Sequence, residues 1–66
     1  MSKDNQFIDG VLYACQEIYL SHGQDMMAKE IMRASGDGIE FLKAQKRTGY
    51  KTREMNRLIR EAFKKD

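Results

Sequence analysis

Few residues of this chain offer reactive chemistry. Cys15 is the only cysteine and His22 the only histidine. A Cys–His nucleophilic pair needs the two side chains within hydrogen-bond reach, and the helix end expected at Ser21-His22-Gly23 gives no reason for them to meet. Cys15 reads as a core residue and His22 as an exposed turn residue. A structural zinc takes four ligands, usually cysteine or histidine, which this chain does not supply. Gly36-Asp37-Gly38 is a turn signal rather than a phosphate-binding loop. The expectation is a protein that is not an enzyme and holds no cofactor or metal.

What the chain does supply is positive charge at helical spacing. Arg53, Arg57, Arg60 and Lys64 recur at steps of three and four residues, and Met55, Leu58, Ile59, Ala62 and Phe63 recur at the same steps on another stripe. One face is built to pack and the other to meet negative charge. The net charge of +2 hides a strong polarity. Residues 1–42 hold three basic and seven acidic residues, a net −4, whereas residues 43–66 hold nine basic and three acidic, a net +6. Such asymmetry points to a polyanionic partner. The alternative is a solvated helix face on which Glu54, Arg57 and Glu61 form ion pairs worth about 0.2–0.5 kcal/mol each.

The order of residues from Ala44 through Thr48-Gly49-Tyr50 to Met55, Asn56, Arg57, Leu58 and Ile59 resembles the turn and recognition helix of a helix-turn-helix DNA-binding unit. Gly49 stands where that family places a glycine to turn the backbone. Tyr50 follows as the apolar residue after the turn, and Thr52 stands where a polar N-cap opens the second helix. Two positions depart from the pattern. Gln45 occupies a site usually held by a small residue at the helix crossing, and Thr48 a site usually held by an apolar one.

The resemblance implies which residues approach DNA. A recognition helix places its N-terminal side chains in the major groove, so Lys51, Arg53, Glu54, Asn56 and Arg57 are the base-contact candidates. Arginine can bond guanine, and asparagine adenine, in bidentate fashion. Lys43, Lys46, Arg47, Arg60, Lys64 and Lys65 are the phosphate-contact candidates, giving affinity without sequence information.

The elements that position these residues are helices throughout. The reading is an all-α single domain over residues 1–66, with helices at about 3–20, 24–34, 38–47 and 52–65, the last two arranged like a helix-turn-helix. The first helix carries an apolar stripe of Phe7, Ile8, Val11, Leu12, Cys15, Ile18 and Tyr19. Gly10 within it suggests close approach of another helix, and Gly23 a left-handed C-terminus. The second turns Met27, Ala28, Ile31 and Met32 inward. Asp37 and Glu40 have the spacing of a capping box opening the third, whose buried side is Ile39 and Leu42, with Phe41 a further candidate.

Sixty-six residues give a core of marginal size, and such chains often gain stability by dimerising. A homodimer is therefore expected, with Phe7, Ile8, Val11, Leu12, Cys15 and Tyr19 as the dimer or partner face. The lone cysteine and the lack of a secretory signal or membrane-length apolar run lead to a cytoplasmic address without membrane contact. The leading expectation is a small transcription regulator that binds double-stranded DNA. The chain also resembles, in size and composition, the short accessory proteins of temperate bacteriophages. That likeness implies the alternative, a protein that inhibits or redirects a host protein through an exposed apolar or basic helical face.

Overall fold

Alternating charge and apolar periodicity, with no proline to interrupt it, gives a chain that is helical almost from end to end. A computed structural model describes residues 2–64. Four helices follow one another: α1 (Ser2–Gln16), α2 (Asp25–Ser35), α3 (Gly38–Thr48) and α4 (Thr52–Ala62), with a π-helical turn, Glu17–Ser21, extending α1. The architecture is all-α with four helices among the described residues, as the periodicity predicts. Helix α1 packs against α2 and α3, and α4 closes the other side against the same two. The result measures 30 × 27 × 18 Å.

Each helix buries one stripe. Ile8, Leu12 and Cys15 of α1 meet Ala28 and Met32 of α2, Phe41 and Ala44 of α3, and Met55, Leu58, Ile59 and Ala62 of α4 in one cluster. Full burial of side chains the size of Leu12, Phe41 or Leu58 contributes roughly 1.5–3 kcal/mol each. The Phe41 ring stacks on Phe63, centroids 6.0 Å apart.

The helix ends are closed by identifiable groups. Gly23, at φ 68°, lets its N–H reach the Tyr19 carbonyl and that of Gln24 reach Ile18, both at 3.0 Å. The Asp37–Glu40 capping box forms in both directions at 2.9 Å, satisfying two N–H groups at the start of α3. Arg33 crosses from α2 to donate to the Ala62 carbonyl at the end of α4, 2.8 Å away. Gly36 is held by space: a Cβ there would lie 2.7 Å from Ile8 Cδ1 and from Glu40 Oε1.

Several expectations are corrected. Ile39 is 66% exposed, because α3 turns Phe41, Ala44 and Gln45 inward and Ile39 lies about 200° around the helix from Phe41. Met27 is 51% exposed, since Ala28 and Met32 take the inward line of α2. Gly10 faces open space, with nothing within 4 Å of a Cβ built there, so it marks no close helix approach. Helix α4 stops at Ala62, short of the expected 65. Its N-cap is Lys51, while Thr52 is the first helical residue.

Candidate nucleic-acid interface

The basic segment is presented by the turn between α3 and α4. Helix α3 ends at Gly49, whose φ of 67° places it in the left-handed region, and its N–H bonds the Gln45 carbonyl at 2.8 Å. Two residues later Lys51 is left-handed as well, at φ 51° and ψ 47°, and makes no side-chain cap. A non-glycine residue in this region costs on the order of 1–2 kcal/mol. Its ammonium also stands at the positive end of the α4 dipole. Neither feature favours the free fold, and both put a cation and uncapped N–H groups at the tip of α4.

Gln45 holds this turn. Its side chain is fully buried, and Nε2 donates to the Tyr50 carbonyl at 2.7 Å and to Thr52 Oγ1 at 3.3 Å. Its Oε1 accepts from Gln16 Nε2 of α1 at 3.4 Å. One amide thereby joins α1, α3, the turn and the first residue of α4. The small residue expected at this crossing is replaced by a polar bridge. Thr52 serves as an acceptor within it, not as the helix cap. Thr48, at the other departing position, stays on the surface and donates from Oγ1 to the Gln45 carbonyl. Tyr50 is exposed rather than tucked under the turn.

Of the base-contact candidates, Lys51, Arg53, Glu54 and Arg57 are exposed and Asn56 is half-buried. The phosphate-contact candidates Lys43, Lys46, Arg60 and Lys64 are exposed too. Among the described residues, Lys43, Lys46, Lys51, Arg53, Arg60 and Lys64 make no ion pair. Arg47 differs, since it is bound to Asp9 of α1 at 2.6 Å. Lys65 lies outside the described residues.

Arg57 has an internal competitor. Its Nε lies 3.4 Å from Glu61 Oε2, and Glu61 Oε1 lies 3.1 Å from Lys29 Nζ of α2. The bond from Lys29, its charge, and the more distant Arg57 hold the Glu61 carboxyl below the ordinary carboxylate range. The anticipated ion pair of Arg57 with Glu61 thus exists, while Arg53 and Arg60 stay clear of it.

The expected partner face on α1 is divided. Ile8, Leu12 and Cys15 point into this chain's own core, Val11 and Tyr19 are half-buried, and Phe7 alone is largely exposed. Cys15 Sγ donates to the Ala28 carbonyl at 3.5 Å, and burial pushes its thiol up to about 11. No group of three or more His, Cys, Asp or Glu side chains among the described residues is placed to hold a metal. No described helix is long and apolar enough to cross a membrane.

Sequence reasoning missed the parts of Gln45, Gln16 and Arg33. A glutamine interrupting the apolar line of α3 was the one available signal, and its partner in α1 lies 29 residues upstream. No family model, curated protein or solved structure matches this chain.

Proposed function

We infer that this protein is a small regulator that binds double-stranded DNA through the N-terminal half of α4, as a homodimer and without catalysis of its own. The observation that supports it best is the tip of α4. Among the described residues Lys51 and Arg53 have no ion partner, and they stand on a turn fixed by the Gln45 amide. A cation at a helix N-terminus lacks a counter-charge that a phosphate would provide. Arg53, Asn56 and Arg57 follow at helical spacing on the same element, with side chains able to reach base edges. Lys43 and Lys46 of α3, and Lys64 just past the end of α4, add positive charge for the flanking backbone.

The test is a fluorescence-anisotropy titration against a random duplex and a duplex from upstream of the protein's own gene, at low and moderate salt. Tighter, salt-sensitive binding to the upstream duplex is expected, with Arg53→Ala and Arg57→Ala each costing about 1–3 kcal/mol. No binding at low salt rules the reading out.

A second reading is favoured by one observation. Met26 is 69% exposed beside Met27 on the first turn of α2, and Leu20 is exposed on the π-helical turn before it. Flexible thioethers at a surface suit an adaptable protein-binding patch. Under this reading Met26→Asp abolishes capture of a host protein while Arg53→Ala does not.

A further inference from the structure

The start of α3 and the end of α4 enclose an open groove of about 550 Å³. Leu42 and Phe63 form its apolar walls over the buried Ile59, and Asp37 and Arg60 stand on its lining with opposite charges. Ile39, also on the lining, is the most exposed aliphatic side chain of the two helices. Gly38 packs on the Phe63 side chain, so near that a Cβ at position 38 would lie 3.2 Å from that ring. A protruding apolar knob, an apolar hole, one anion and one cation thus share one small surface. That combination is complementary to itself.

We propose that a second copy of this chain docks in this groove about a twofold axis, Ile39 of each copy filling the other's groove and Asp37 of each meeting Arg60 of the other. An isologous interface requires that every contact occur twice, so a surface with one charge of each sign neutralises itself while its knob and hole interlock. Asp37 keeps an oxygen for this pairing, because its cap to the Glu40 N–H uses Oδ1 alone. This interface replaces the α1 stripe, whose Ile8, Leu12 and Cys15 are spent internally. Arg60 becomes an interface residue in place of a phosphate contact.

The placement deepens the dimeric part of the function proposed above and rests on that reading. The groove lies at the C-terminal end of α4, an 11-residue helix of about 16 Å. A twofold axis there leaves both α4 N-terminal tips away from the interface, free to meet a duplex.

Sedimentation equilibrium of the whole chain up to hundreds of micromolar tests it, with circular dichroism verifying each variant's fold. The mass is expected to rise from 7.7 kDa towards twice that value. Ile39→Glu and Arg60→Asp should each lower the association constant roughly tenfold or more. Asp37→Arg alone should also dissociate the dimer, and mixing it with Arg60→Asp should restore a heterodimer. A wild-type mass fixed at 7.7 kDa, or a dimer indifferent to Ile39→Glu and Arg60→Asp, overturns the proposal. Anisotropy on the same samples keeps the two ideas apart: a monomer that binds DNA removes the dimer and this interface but leaves the DNA contact standing, and a dimer that does not bind removes the DNA reading alone.

Discussion

The Gln45 side-chain amide reaches past the end of its own helix to the backbone carbonyl of Tyr50, 2.7 Å away, and so fixes the turn that precedes α4. The same group accepts from Gln16, which is itself nearly fully buried. Removing one partner of a buried polar pair leaves the other unsatisfied, at about 1–3 kcal/mol. Gln45→Ala adds a cavity, for a total destabilisation of about 2–4 kcal/mol. Gln45→Leu fills the space but orphans Gln16, and Gln16→Leu in the same chain removes that orphan. The double variant should therefore be more stable than Gln45→Leu alone, as urea unfolding would show. Both should lose preference for a specific duplex over a random one, because the α4 tip is no longer held. Wild-type stability and selectivity in Gln45→Leu would sink the idea of a pinned turn.

Lys51 should separate stability from binding. Its left-handed backbone disfavours any residue with a Cβ and suits glycine. Lys51→Gly is expected to stabilise the fold by about 1 kcal/mol in thermal or urea melts, while weakening duplex binding and reducing the salt slope by about one phosphate contact. A variant that is less stable, or that binds as well as the wild type, contradicts the account of the α4 tip.

The helices were legible because their signals are local. The period of Met55, Leu58 and Ile59, the Asp37–Glu40 spacing and the turn at Gly49 each lie within a few residues of what they specify. Which side chain wins the inward position is a competition settled by neighbouring helices. Ile39 lost to Phe41 and Met27 to Ala28, though all four are apolar. Long-range polar contacts were illegible for the same reason. The pairing of Arg47 with Asp9 spans 38 residues, and that of Arg33 with the Ala62 carbonyl spans 29. No period encodes such partners. Of the candidate site, the exposed cations of α4 follow from spacing, whereas the amide that orients them does not.

Cys15 should make the fold sensitive to alkali. Burial raises its thiol from 9.0 to about 11, so the folded state favours the protonated form. The contribution of this one thiol is thus fully present below the unfolded value and is lost as pH rises from about 9 to about 11. The size of the loss is of order 2–3 kcal/mol. Cys15→Ala should be less stable at neutral pH, yet should lack this component of the decline in chemical unfolding across that range. The native thiol should also resist a disulfide reagent at pH 8 until the chain unfolds, since the thiolate is the reactive form.

Glu61 draws Arg57 and Lys29 to one carboxylate, so any DNA contact proposed for Arg57 has to compete with Glu61. Its folded-state carboxyl is held low, first by the hydrogen bond from Lys29. The stabilisation is therefore present above the ordinary carboxylate range and is lost as pH falls through the depressed folded value. Glu61→Gln should flatten that acid limb of the stability profile. It should also release Arg57 and remove a negative charge from the basic helix, raising duplex affinity several-fold with a steeper salt dependence. If Arg57 contacts DNA, Arg57→Ala in the Glu61→Gln background should cost more affinity than in the wild type, because the arginine there no longer divides its contacts. Anisotropy across the four-member cycle measures that coupling. Equal costs in the two backgrounds would mean that Glu61 does not restrain Arg57.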